Sequence, residues 1–132
     1  MHIDHIGVAV GDLEKAVKTY EAILNRECDK REVVEGQKVE TAFFQTGESK
    51  VELLGATSEE SVINKYVNKK GEGLHHVAFE VEDIYAEMKR LQGEGFTLLS
   101  EEPSEGADNK LVVFLHPKHN NGVLIELCQT KK

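Results

Sequence analysis

The chain has 132 residues, 39% of them hydrophobic and 30% charged, a composition that suits one globular domain able to bury about two-thirds of its unfolded surface. No apolar run approaches the ~20 residues a membrane helix needs, and Asp4 and His5 interrupt "MHIDHIGVAV", so neither a membrane partner nor a secretory signal is expected and the expected location is the cytoplasm. With 24 Asp and Glu against 16 Lys and Arg the formal charge is -8, which repels phosphate backbones and argues against nucleic acid as a partner.

The first element is "HIGVAVGDL" from His5, an apolar strand running into a helix. Asp12 is placed to cap that helix, and Leu13, Ala16, Val17, Tyr20, Ile23 and Leu24 recur at helical spacing. Cys28 follows; with Cys128 it makes too few cysteines for a disulfide framework, and the pair lacks CxxC spacing, so both read as packing thiols. "KVETAFFQTG" and "SKVELLG" then read as strands, the second carrying Glu52 inside an apolar run. "TSEESVINKYVNK" reads as a short helix with Thr57 and Glu60 spaced as a capping box, and "NKKGEG" as a turn.

The pattern then begins again. "HVAFEVEDI" from His76 aligns with "HIGVAVGDL" from His5, Asp83 stands where Asp12 stood, and Ile84, Met88 and Leu91 repeat the apolar stripe before "GEGF" ends the helix. "FTLLSEEP", "KLVVFLHP" and "NGVLIELC" complete the copy as strands, the last carrying Glu126. The chain is therefore expected to be one domain, 1–132, of the α+β class, built from tandem βαβββ modules at about 1–56 and 73–132 with a helical linker at 57–72. The modules should form a curved mixed sheet.

A buried ionised carboxylate costs several kcal/mol unless it is paired or bound to a metal. Each module offers one histidine on its first strand and one glutamate on its last: His5 and Glu52, then His76 and Glu126. Modules packed about a pseudo-twofold axis would bring two imidazoles and two carboxylates around one point, a donor set for a divalent first-row metal such as cobalt, manganese, nickel or zinc. His75 neighbours His76 but points to the opposite strand face, so it is not expected to be a ligand.

These residues, together with "DHIGVAV", "GEGLHHVAFEVEDI", "EEPSEGADNK", "FLHPK" and "GVLIEL", resemble the vicinal oxygen chelate superfamily, and within it the methylmalonyl-CoA epimerases. "HPK" shortly before "GVLIEL" discriminates best, since glyoxalase I and most relatives carry a "DPDG"-like turn there. The resemblance implies a metal on His5, Glu52, His76 and Glu126, and interconversion of the 2R and 2S forms of methylmalonyl-CoA by 1,1-proton transfer through a metal-stabilised enolate. It implies Glu40 as one acid/base and Glu126 as the other, Lys118 (with Lys110 and His119 nearby in sequence) as a contact to the coenzyme A phosphates, and a homodimer. Two departures stand out: glutamate at position 52, where epimerases often have glutamine and glyoxalase I has glutamate, and Leu111, where relatives often have arginine. The alternatives are a glyoxalase I-like lactoylglutathione lyase acting on a hemithioacetal, with the same four ligands, and a non-catalytic binding protein of the same fold.

Overall fold

The computed structural model describes residues 1–132. Its elements run β1 (His2–Val10), α1 (Leu13–Leu24), β2 (Lys30–Val34), β3 (Val39–Thr46), β4 (Ser49–Ala56), α2 (Val62–Lys70), β5 (Gly73–Glu80), α3 (Ile84–Gly93), β6 (Ser104–Glu105), β7 (Lys110–Leu115) and β8 (Ile125–Thr130). Single 3-10 turns lie at Glu35–Gln37 and Pro117–His119. The α+β class and the doubled βαβββ order expected from the repeat are both present. The sheet is mixed: β5 and β8 run parallel, while β2/β3, β3/β4, β6/β7 and β7/β8 are antiparallel.

The chain divides into two compact units, Ile6–His75 and Met1–His5 with His76–Lys132, so the cut falls inside β1 and inside β5. In the first unit the hydrogen-bonded order is β2-β3-β4-β1. The β3/β4 hairpin keeps its register from Val39↔Ala56 to Thr46↔Ser49 and closes at Gly47, whose φ of +70° glycine adopts without steric cost. Strand alternation gives this sheet two different coverings. Val8, Val10, Ala42, Phe44 and Leu53 pack with Val17, Leu13 and Tyr20 of α1, whereas Ala9, Val39 and Leu54 pack with Ile63, Tyr66 and Val67 of α2. Asp12 caps α1 as its position predicts, its carboxylate accepting from the Lys15 amide at 3.2 Å, a contact worth about 1 kcal/mol.

In the second unit β5-β8-β7-β6 follow one another, and one sheet face is covered by α3. Ile84, Met88 and Leu91 of that helix pack with Val113, Leu115 and Leu127, joined by Phe79 and Ile125. Asp83 caps it through the Ala86 amide at 3.1 Å. The residues between these on each strand point to the other face: His76, Ala78 and Glu80 from β5, Lys110, Val112 and Phe114 from β7, and Glu126, Cys128 and Thr130 from β8. Ala78, Val112 and Cys128 form a small apolar cluster among them.

Three local expectations give way to the structure. The helix α2 is capped by Ser61, whose hydroxyl accepts from the Ile63 amide, and not by Thr57. Ser58 instead takes the Glu60 amide, and the Glu60 carboxylate reaches Lys38 at 2.6 Å, so the residues of the expected capping box are spent in the turn before the helix. "FTLLSEEP" is not a full strand: Leu98 makes one bridge to Leu115, and β6 comprises only Ser104 and Glu105. Conversely β2 forms at Lys30–Val34, where alternation is masked by three charged residues on an edge strand. No helix is long and apolar enough to cross a membrane.

Candidate metal centre

His5, His76 and Glu126 converge within the second unit, one from each of β1, β5 and β8. All three are buried, with 4%, 7% and 5% of their surface exposed. The Nε2 atoms of the two histidines are 3.1 Å apart, His76 Nε2 lies 3.2 Å from Glu126 Oε1, and His5 Nε2 lies 3.7 Å from Glu126 Oε2. The strands explain the placing. Ala78 is in register with Glu126 on β8, so His76 and Glu126 stand on the same face two residues out of step, and Phe114, opposite Glu126 on β7, sets its ring edge-on to His76 at 5.6 Å between centroids.

These donors fit a divalent cation. An ion bonded at about 2.1 Å separates adjacent ligand atoms by about 3.0–3.4 Å, depending on whether the arrangement is octahedral or tetrahedral. Two of the observed edges, 3.1 and 3.2 Å, fall in that range and the third, 3.7 Å, is slightly longer, and two imidazoles with one carboxylate suit first-row metals. Burial works to raise the Glu126 pKa, but hydrogen bonds and charge from His5 and His76 overcome it and hold the carboxyl down at about 2. The carboxylate is the form a cation needs.

A different buried network lies on the far side of His5. Its Nδ1 is 2.7 Å from Asp4 Oδ2. Lys110 Nζ lies 3.4 Å from Asp4 Oδ1, 2.8 Å from Glu80 Oε1 and 2.8 Å from Thr130 Oγ1, and the Thr130 hydroxyl donates to Glu80 at 2.6 Å. Burial pulls the Lys110 pKa down, yet Glu80 and Asp4 together leave it raised, so the ammonium persists. Asp4, His5 and Cys128 also come close enough to suggest a cation site, but the chemistry opposes it. Burial together with the charges of Asp4, Glu126 and Glu80 pushes the Cys128 thiol far up, and the Lys110 ammonium already neutralises Asp4.

The remaining expected site residues come from β3, β4, β7 and the turn Pro117–His119. Glu52 is buried on β4 of the first unit, in register with Phe43 and on the strand face away from α1. Glu40, on β3, is ion-paired with Arg31 Nε at 3.0 Å, and the same guanidinium holds Glu14. Lys118 is exposed in the turn Pro117–His119, where His116 Nδ1 accepts from its backbone amide at 3.0 Å. Lys110 does not join it in a basic cluster: it is only 7% exposed and committed to carboxylates. His75 turns its ring onto Tyr66 of α2, 4.8 Å between centroids. The sequence groups Lys110 with Lys118 and gives Asp4 no role because the Asp4–Lys110 pairing spans 106 positions; the one local sign of Asp4 is an aspartate set in an apolar strand beside His5.

Residues 4–114 match the Glyoxalase/Bleomycin resistance protein/Dioxygenase superfamily. The chain belongs to that superfamily. It is 40% identical over 129 residues to an ethylmalonyl-CoA/methylmalonyl-CoA epimerase of Cereibacter sphaeroides, covering 96% of each chain. A solved Streptomyces coelicolor methylmalonyl-CoA epimerase variant in complex with 2-nitronate-propionyl-CoA superposes with a TM-score of 0.93 at 38% identity, covering 98% of this chain and 94% of that one. The lactoylglutathione lyase of Haemophilus influenzae is more distant, at 27% identity over 135 residues, 99% of this chain and 94% of the lyase. The resemblance read from the sequence, to the superfamily and within it to the epimerases, therefore holds.

Proposed function

We propose that this protein is a metal-dependent methylmalonyl-CoA epimerase that moves the proton on the carbon between the thioester and the carboxylate. The observation that carries this reading is the buried His5–His76–Glu126 cluster in a chain 40% identical to an epimerase along 96% of both lengths. Glu52 is assigned as the fourth ligand from its place in the repeat, on the last strand of the first module as Glu126 is on the last strand of the second. A divalent cation (cobalt, manganese, nickel or zinc) supplies Lewis acidity for the negative charge that develops on the thioester oxygen when the alpha proton leaves.

The chain's own groups supply the rest. His5 and His76 present their Nε2 atoms toward Glu126, and their buried setting keeps water from competing with substrate oxygens. Inversion needs a base on one face of the carbon and an acid on the other. Glu126 is assigned to one role and Glu40 to the other; the Arg31 ion pair must loosen for Glu40 to act, so a Glu40→Gln enzyme should lose proton exchange while an enzyme with Arg31→Lys keeps it. Lys118, exposed and unburdened by an ion pair, is assigned to the coenzyme A phosphates. A nitronate is a planar anion with charge on oxygen, as an enolate is, and its binding to the Streptomyces relative supports the enolate route here. The same likeness supports an acyl-CoA substrate, and we infer a homodimeric, cytoplasmic enzyme.

The second reading is lactoylglutathione lyase chemistry, favoured by the glutamate at position 52 and opposed by the "HPK" turn and the lower identity to the lyase. The deciding experiment offers metal-loaded protein both substrates. Epimerisation of methylmalonyl-CoA without turnover of the methylglyoxal–glutathione hemithioacetal supports the proposal; the converse replaces it with the lyase.

A further inference from the structure

We propose that Asp4 is a positioning residue for the metal centre, fixing the tautomer and ring plane of His5, and that the buried Lys110 anchors Asp4 in that role. The inference rests on the metal-dependent reading above and extends it to groups outside the ligand set.

Neighbouring residues on a strand ordinarily point to opposite faces, yet the Asp4 carboxylate and the His5 ring meet at 2.7 Å, both buried. An ionised carboxylate can only accept, so His5 Nδ1 must carry the proton. That leaves the Nε2 lone pair directed at His76 Nε2 and Glu126, the side on which the donors converge. A carboxylate behind a ligating imidazole also raises its basicity and restrains its rotation.

Asp4 is itself held from behind. Lys110 spans Asp4 and Glu80, and Thr130 bonds to both Lys110 and Glu80, so the ammonium is fixed by residues from three different strands. Lys110→Met would remove the ammonium that holds Asp4 Oδ1 at 3.4 Å, letting the carboxylate swing out of line with His5 Nδ1. Lys110 opens β7 and Asp4 lies on β1, so the anchor links elements that local sequence cannot relate.

The test uses full-length protein and two readouts. Cobalt(II) titration, followed by visible absorption, should show binding by the wild type and about 10- to 100-fold weaker binding by Asp4→Asn, with Lys110→Met weakened in the same direction. Nitrogen-15 histidine spectra of the zinc-loaded wild type should show His5 protonated at Nδ1 and bound through Nε2. Unchanged cobalt affinity in Asp4→Asn, or zinc on Nδ1 with the proton on Nε2, overturns the inference while the metal reading stands. A wild type that binds no cobalt overturns both. If Asp4→Asn does not fold, the wild-type tautomer decides alone.

Discussion

The imidazoles of His5 and His76 meet edge to face, 86° between ring planes, with their Nε2 atoms 3.1 Å apart. Two ring nitrogens this close cannot both direct protons at each other, so the pair is suited to sharing a cation with Glu126. His76→Ala removes one of these donors without touching the Asp4–His5 contact. It should weaken zinc binding by at least about 100-fold, measured by competition against a chromophoric chelator, while the far-ultraviolet circular dichroism stays unchanged. Equal zinc affinity would mean that the metal binds elsewhere.

Metal-free protein should carry a pH signature of Glu126. Its folded pKa of about 2 lies below the ordinary glutamate value near ~4.3, so the carboxylate's contribution to stability is complete above that value and is lost as pH falls through about 2. The contribution is on the order of 2–3 kcal/mol. Urea denaturation between pH 5 and pH 2.5 should therefore show the wild type losing stability faster with acid than Glu126→Gln, whose neutral amide cannot titrate. Parallel curves would refute the assignment.

The packing of α1 on β4 gives a prediction independent of the site. A Cβ on Gly55 would lie 2.9 Å from Leu13 Cβ, inside the distance real side chains tolerate. Gly55→Ala should cost about 1–3 kcal/mol, whereas Gly36→Ala, with nothing within 4 Å, should shift the melting temperature little. Gly55 is in register with Glu40, so loss of stability in this variant should be measured before any loss of activity is interpreted.

What the sequence could reveal followed the range of the interactions. Asp12 and Asp83 cap helices through amides three residues away, and the stripes that follow them repeat every turn, so α1 and α3 are readable from short windows. The candidate ligands His5, His76 and Glu126 are readable because duplication places histidine and glutamate at the same step twice. The strand β2 is not, because Lys30, Arg31 and Glu32 on a sheet edge hide its alternation, and "FTLLSEEP" has strand composition but only Leu98 finds a bridge before β6. Ser61 replaces Thr57 as the cap because Ser58 and Glu60 form the preceding turn. Lys110 reads as a strand-opening lysine grouped with Lys118 until the fold brings Asp4, Glu80 and Thr130 to it.

Lys118 is exposed, and a surface contact to a phosphate is worth at most about 1 kcal/mol. Lys118→Ala should therefore raise KM for the coenzyme A thioester by roughly 2- to 5-fold and leave kcat unchanged. The same variant should handle a pantetheine thioester, which lacks the nucleotide phosphates, as well as the wild type does. A matching loss on both substrates would assign Lys118 to the turn Pro117–His119 and not to substrate.

Proton transfer at the carbon alpha to the thioester is read directly by solvent exchange. Chelator-stripped protein reloaded with cobalt, given methylmalonyl-CoA in heavy water, should wash deuterium into the alpha carbon. The exchange should require metal and fall by about 10²- to 10⁴-fold in Glu126→Ala. Exchange no faster than in buffer, with one cobalt bound per chain, would contradict the account.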